Sequence, residues 1–452
     1  MESDRIWVVG GGLAGSEAAW QIAEAGLDVV LYEMRPLRAT GAHATEDLAE
    51  LVCSNSLGSR LADRPSGVLL AELRRLESLL ARVAEETAVP AGGALAVDRA
   101  LFSRGVTQAI EAHPRISIRR EEVQAIPDGV GVIASGPLTS PALSESLQAL
   151  AGEAHLYFFD ALSPIVEAES IDGSIAFRGS RYGRGESEDG DYLNCPMTRD
   201  EYLSFVEALR TAERIPLREF EAAIESGVRA GPGAFFEGCL PVEVLAGRGE
   251  MSLAFGPLRP VGLTDPRNGR RPFAVVQLRQ DDLAGTLYNL VGFQTNLTYP
   301  EQQRVFRMIP GLGQARFARY GQMHRNTFVN APMLLEPTLE VRRRRGLFLA
   351  GQITGVEGYL GNIATGALAG RNAARAARGA PLLELPRETM LGALCHYVSR
   401  AAPGTFQPMK ANFGLLPPLD DPRFTRDRRG RNERHAERSA EALEQALASL
   451  VG

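Results

Sequence analysis

The chain has 452 residues, 44% apolar and 23% charged, enough to bury a large core and to divide into two or three domains. Its net charge of −6 offers nucleic acid no global attraction, so any such surface must be a local patch. The four cysteines (Cys53, Cys195, Cys239, Cys395) lack C-x-x-C spacing, which argues against zinc ribbons and a disulfide framework. The six isolated histidines give no metal-ligand pattern.

Ile6–Val9 is an apolar run suited to a buried parallel strand. It begins so early that no signal peptide fits before it, and no apolar run is long enough to span a bilayer; a cytoplasmic location is expected. Gly10, Gly12 and Gly15 follow as G-x-G-x-x-G, then a helix-forming stretch, Leu13–Ala25, and a second strand, Asp28–Leu31, ending at Glu33. The first glycine permits the tight turn, the second admits a pyrophosphate to the backbone, and the third lets helix and strand pack closely. The anion rests on free N–H groups at the helix N-terminus, and Glu33 can accept hydrogen bonds from an adenosine ribose.

Arg35–Glu46 reads as a polar loop, and Leu48–Arg64 carries Cys53 in ELVCSNSLGSR. Ser66–Glu86 and Asp98–Ala112 read as amphipathic helices, Ile116–Arg119 and Val130–Ala134 as strands. The last strand runs into Ser135-Gly136-Pro137, either a ligand-admitting turn at a strand's carboxyl end or an ordinary tight turn. From about Ile165 to Arg325 the texture changes to short strands with Pro/Gly punctuation, expected to be a second domain inserted into the first.

The nucleotide-binding texture returns at Gly346–Gly370, with a strand (Leu347–Ala350), a glycine-rich loop (Gly351–Gly361) and a small-residue helix (Asn362–Arg378). Paired with the N-terminal unit, this suits FAD better than NAD, because a flavin extends beyond the adenosine site and needs a second close backbone approach. Pro381–Gly452 reads as a mostly helical tail with a basic run, Arg423–Arg438; that run and Arg342–Arg345 are the arginine groups able to contact phosphates. The expected division is 1–165 and 326–452 for the nucleotide-binding domain and 166–325 for the insertion.

On residues alone, Cys53 (beside Ser54, Asn55 and Ser56) and Cys239 (beside Leu240-Pro241) are each either a small buried hydrophobe or a nucleophile activated by dipoles or cations. His324, in YGQMHRNTF, is either a satisfied structural histidine or a group that meets a planar ligand.

The motifs VVGGGLAGSEAA, CSNSLGS, YLNCPM, FEGCLPVEV, GPLRPVGLTDPR, VQLRQD, NLVGFQTNL, YGQMHRNTF, GQITGVEGYLGNIATG and PMKANFGLLPPL follow one another along nearly the whole chain. In this order they make the chain resemble the bacterial folate- and FAD-dependent tRNA (uracil-5-)-methyltransferases. The alternatives are an FAD enzyme of wobble-uridine modification and a flavin-bearing tRNA-binding factor without essential catalysis.

The resemblance implies an α/β fold, a Rossmann-like FAD-binding domain interrupted by a smaller α/β insertion domain. It implies C5-methylation of the T-loop uridine of tRNA, with 5,10-methylenetetrahydrofolate as carbon donor and FAD, reduced by NAD(P)H, as reductant. By the same resemblance Cys239 is the thiolate that adds to carbon 6 of uracil and Cys53 the second catalytic cysteine, the two roles being exchangeable. His324 would sandwich the folate pterin against the flavin; Gly10, Gly12, Gly15 and Glu33 would hold FAD, with Gly351 and Gln352 near its ribityl chain and ring. Cys195 and Cys395 receive no catalytic role. No membrane, metal or obligatory protein partner is expected.

Overall fold

The computed structural model describes residues 5–40, 42–152, 156–183, 189–215, 240–402, 406–419 and 427–449. Strand β1 (Ile6–Val9) is buried along its whole length, as a run of four apolar residues requires. Helix α1 (Leu13–Glu24) returns the chain to β2 (Val29–Tyr32), which lies parallel to β1 with Ile6 opposite Val29. Helix α2 (Arg99–Ala112) leads to β3 (Ile116–Arg119), and β4 (Gly131–Ile133) follows.

Ser66–Glu86 is two helices rather than one, Pro65–Arg75 and Leu79–Glu86. The break serves the buried carboxylate of Glu17 on α1, which accepts hydrogen bonds from Ser78 Oγ (2.8 Å) and Leu80 N (3.1 Å). A continuous helix would commit the Leu80 N–H to the carbonyl four residues back.

The insertion contributes β5 (Ile165–Glu167), β6 (Phe177–Gly179), β7 (Tyr192–Met197), β8 (Ala274–Gln280), β9 (Leu287–Leu290) and β10 (Phe317–Arg319). They form one antiparallel sheet in the order β6-β7-β8-β9-β5-β10. Strand residues alternate between faces. Ala274, Val276 and Leu278 of β8 join an apolar core with Phe205, Phe293 and Phe306, while Gln277 and Arg279 point the other way. Register places Tyr192, Arg279, Asn289, Ile165 and Arg319 in one cross-strand row on that opposite face.

Strand β11 (Leu347–Leu349) then rejoins the first sheet, completing five parallel strands in the order β11-β4-β1-β2-β3. Helix α3 (Tyr359–Ala377) follows and crosses α1 at backbone contact. A Cβ at Gly366 would lie 2.2 Å from the Ala14 carbonyl oxygen, and one at Gly370 2.5 Å from that of Ala18, so only glycine permits this crossing. The core of this unit draws on residues from Ile6 to Leu147 and again from Phe328 to Leu443. The fold is thus the expected Rossmann-like α/β unit interrupted by an α/β insertion.

The tail packs onto this core through Glu72, whose buried carboxylate accepts from Met390 N (2.6 Å), Leu391 N (2.9 Å) and Ser439 Oγ. Much of the arginine charge singled out in the sequence is used internally. Arg429 pairs with Glu433, Arg434 with Glu437 and Glu441, and Arg345 with Glu340. Arg342 and Arg344 donate to backbone carbonyls. Among the described residues, no helix is long and apolar enough to cross a membrane.

Candidate functional site

The carboxyl ends of β1, β2, β4 and β11 open onto a cleft of about 1030 Å³ lined by Gly10, Gly12, Glu33, Ser135, Gly351 and Asn362 among others. It lies where a parallel sheet's connections diverge, the usual ligand position in such folds. The three fingerprint glycines serve three separate geometric needs. Gly10 has φ 104°, and a Cβ there would meet the Ala134 carbonyl oxygen at 2.5 Å; one on Gly15 would meet the Gly10 carbonyl oxygen at 1.8 Å. A Cβ on Gly12 would enter open space, and Gly12 caps α1 without a side-chain hydrogen bond, so the helix's first N–H groups face the cleft uncapped.

Glu33 is 6% exposed; its Oε2 accepts from Gly11 N at 2.9 Å, and its Oε1 from Arg35 N at 2.9 Å and Arg35 Nε at 3.0 Å. Burial pushes its carboxyl up, but hydrogen bonding and charge from Arg35, with the two backbone donors, outweigh burial and hold it below the usual carboxylate range. Three donors leave about one of a carboxylate's four acceptor positions for a ligand hydroxyl.

A second cleft, of about 1320 Å³, shares Val52, Pro137, Leu138, Gln352, Tyr359 and Asn362 with the first and contains Cys53. Because the two clefts share a wall, ligands held in them would lie side by side. Asn362, on the shared wall, has a buried Oδ1 with no hydrogen-bond partner among the described residues. Gly351 N donates to Thr365 Oγ1 at 3.0 Å, and Gln352 Nε2 to Glu357 Oε1 at 2.8 Å, fixing the late glycine loop against α3.

Cys53 is half-buried, and side chains from four distant elements hold the short loop around it. Its N–H donates to Tyr359 Oη at 2.8 Å. Arg99, at the start of α2, donates to the carbonyl oxygens of Leu51 (2.6 Å) and Cys53 (3.0 Å), while Asp281 grips its Nε at 2.9 and 3.1 Å. Arg319 of β10 donates to the Val52 carbonyl, and Arg279 Nε of β8 to Asn55 Oδ1 at 2.8 Å. Burial pushes the Tyr359 phenol up, so it stays protonated at neutral pH.

The predicted site residues divide three ways. Gly10, Gly12, Gly15, Glu33, Gly351 and Gln352 meet at or beside the first cleft, and Cys53 lies across the shared wall. His324 lies in Met323–Phe328, opposite Asp160 of Leu156–Ala161, and its side chain is outside the described residues. Cys239 is outside the described residues as well. Cys195 and Cys395 are 0% and 1% exposed; burial pushes the Cys195 thiol up to about 12 and the Cys395 thiol up as well, making both inert.

Sequence reading missed Arg99, Arg279, Arg319, Tyr359 and Asn362, and it gave no role to Lys410, which lines the second cleft. One signal was present: Arg279 interrupts the apolar pattern of a central strand, where a charge needs a partner. Among the described residues, no group of three or more His, Cys, Asp or Glu could hold a metal ion.

A parallel sheet with an uncapped glycine turn, a buried acid ending its second strand and a late glycine loop defines a dinucleotide-binding α/β protein with a thiol-bearing second cleft. The family model for Glucose inhibited division protein A (GIDA) matches residues 5–381, and the chain belongs to that family. It is 58% identical over 438 residues to the Methylenetetrahydrofolate--tRNA-(uracil-5-)-methyltransferase TrmFO of Synechococcus sp. (strain JA-2-3B'a(2-13)), covering 97% of this chain and 93% of that one. Identity to the Anoxybacillus flavithermus protein of the same name is 54% over 445 residues, covering 98% and 100% of the two chains. Among solved structures, Aquifex aeolicus GidA matches with a TM-score of 0.69 at 17% identity, over 98% of this chain and 73% of that one, a likeness of fold.

Proposed function

We propose that this protein is a cytoplasmic, folate- and FAD-dependent tRNA (uracil-5-)-methyltransferase that converts the T-loop uridine to ribothymidine. The observation that carries the reading is Cys53 in a cleft continuous with the dinucleotide cleft, in a chain more than half identical to TrmFO proteins along nearly its whole length. FAD reduced by NAD(P)H supplies, when bound, the two electrons that turn a methylene group into a methyl group.

The residues present suit that cofactor. Gly12 and the uncapped N–H groups of α1 receive the pyrophosphate, and ionised Glu33 accepts from the adenosine ribose. Gly351 and Gln352 border the shared wall, where Asn362 Oδ1 has no partner among the described residues. A flavin held by these residues would extend toward the shared wall that Gln352 and Tyr359 line.

Carbon 5 of uracil is a weak nucleophile until a thiolate adds to carbon 6 and places an enolate beside it. We assign that addition to Cys239 and the handling of the one-carbon unit from 5,10-methylenetetrahydrofolate to Cys53, two roles that are exchangeable. Val242, three residues beyond Cys239, donates from its N–H to the carbonyl of Gln294 at 2.7 Å, and Gln294 lines the cleft of Cys53. Three peptide steps span at most roughly 11 Å, which supports a place for Cys239 near that cleft. Carbon 5 then bonds to the one-carbon unit, and loss of the carbon 5 proton expels the group that carried that unit and leaves an exocyclic methylene. Addition of the hydride to that methylene re-forms the carbon 5–carbon 6 double bond as the thiolate leaves carbon 6. His324 is assigned to the pterin. The T-loop uridine must leave its stack to enter the cleft, at a cost of about a few kcal/mol.

The separate apolar cores support assigning 1–165 and 326–452 to the FAD-binding domain and 166–325 to the insertion. The test is direct. Purified protein incubated with tRNA, 5,10-methylenetetrahydrofolate and NADPH should yield ribothymidine by mass spectrometry of the digested RNA. Absence of product, or product only with S-adenosylmethionine, overturns the assignment.

A further inference from the structure

Three arginines converge on the residues around Cys53, and among the described residues Asp281 is the carboxylate paired with one of them. Arg99 reaches the Leu51 and Cys53 carbonyls from α2, Arg319 the Val52 carbonyl from β10, and Arg279 the Asn55 side chain from β8. Arg279 and Arg319 belong to the same cross-strand row, with Asn289 and Ile165 between them, so the insertion sheet presents two guanidiniums to one short loop of the other unit. Asp281 is committed to Arg99.

A neutral carbonyl or amide oxygen needs a donor, not a full charge. Arg279 is 7% exposed and contacts Asn55, a neutral acceptor, so its buried charge is not balanced by its hydrogen bond. Burial, and then repulsion from Arg99, push Arg319 down; burial also pushes Arg279 down, Tyr192 and Asp281 oppose that shift, and Arg99 adds to it. Cys53, when ionised, acts in the opposite direction on all three arginines, which places it within their electrostatic reach. By reciprocity, whatever negative charge on sulfur does for the arginines, they do for the thiolate.

We propose that Arg99, Arg279 and Arg319 form a cationic cradle that holds Cys53 as a thiolate, and that the cradle is complete only when the insertion sheet is seated on the nucleotide-binding unit. The arginines are positioning residues: they act on the sulfur, and the sulfur does the chemistry. The inference rests on the reading that Cys53 is one of the two working cysteines. Among the described residues, the other titratable groups facing this loop include Tyr359 from α3 and, along the same cleft, Glu357 and Lys410. Burial keeps Tyr359 neutral, so it adds no charge at the loop.

The test reads the thiol, not the methylation. The purified holoprotein is alkylated with iodoacetamide over about pH 6 to 10, and the rate at Cys53 is followed by peptide mass spectrometry, with buried Cys195 and Cys395 as internal controls. The midpoint of the rate profile is expected at least about one pH unit below the roughly 8.5 of a free cysteine. Arg279→Gln and Arg319→Gln should each move it upward by about half a unit or more, and Arg279→Lys should largely restore it. Asp281→Asn, which keeps an acceptor for Arg99 while deleting its negative charge, should move it downward, a direction that mere loosening of the loop does not produce.

A wild-type midpoint at or above 8.5 overturns the proposal, as does an unchanged midpoint in both glutamine variants or an upward shift in Asp281→Asn. Flavin absorbance and thermal melting show which variants are folded; if the glutamine variants are not, the wild-type midpoint and Asp281→Asn decide. Failure of the ribothymidine assay with a low Cys53 midpoint would sink the functional reading and leave the cradle standing, and the reverse result would do the opposite.

Discussion

The two clefts share a wall but are made by opposite means. The dinucleotide cleft is built from backbone, with N–H groups at the start of α1, turns at Gly10 and Gly351, and close approaches that only glycine allows. The thiol cleft owes the placement of its Cys53 loop to side chains that arrive from α2, β8, β10 and α3. A backbone site is sensitive to an added Cβ, whereas a side-chain site is sensitive to a lost guanidinium or sulfur.

The sharpest break between the two is Cys53→Ala. Ribothymidine formation should fall by at least about a thousandfold while the flavin stays bound, seen as an unchanged visible spectrum. Flavin loss in that variant would show that the clefts are not separable.

Next come the glycines, which should differ among themselves. Gly15→Val puts atoms into the Gly10 carbonyl and should yield little folded protein, since overpacking at backbone costs about 1–3 kcal/mol or more. Gly12→Ala meets open space, so thermal melting of the flavin-free protein should be nearly unchanged while FAD affinity drops about tenfold or more, measured by fluorescence titration. Equal damage at both positions would refute the division between packing and binding roles.

Glu33→Gln should weaken FAD binding by about ten- to a hundredfold, the range of a hydrogen bond to a charged group. Its pH dependence has a definite sign. The Glu33 carboxyl is held down in the folded protein, so its contribution is complete above about pH 5 and is lost as pH falls through the lowered value. The stability gap between wild type and Glu33→Gln should therefore be flat near neutrality and narrow on acidification, as read by denaturant melts at stepped pH.

The smallest effect is expected for Asn362→Ala. Its Oδ1 has no partner among the described residues, so the flavin-free protein should lose little stability, while ligand binding loses about 1 kcal/mol. Isothermal titration with FAD and with the folate would show which cleft that oxygen serves.

Legibility followed the same division. The tight turn at Gly10 and Gly15 and the place of Gly12 and Glu33 at the cleft were readable because they follow from sequence spacing within one strand–turn–helix–strand unit. The break inside Ser66–Glu86 was not, because it answers to Glu17, a buried carboxylate sixty-odd residues earlier that needs donors from the turn at Ser78. Arg279 was visible as a charge inside a strand, but its partner Asn55 lies 224 positions away, and no periodicity links them.

By itself, the sequence determined a dinucleotide fingerprint, a late glycine loop to match it, an inserted unit of different texture, and a motif series sufficient to place the chain in its family. These are local properties, set by the conformational needs of glycine and by the period of apolar residues. Tertiary structure alone decided which charges surround Cys53 and that its cleft opens into the nucleotide cleft. The register of an antiparallel sheet brings Arg279 and Arg319 into one row, and the docking of that sheet sets the row against a loop far away in the chain. Electrostatic interaction depends on distance in space, which separation along the chain does not record.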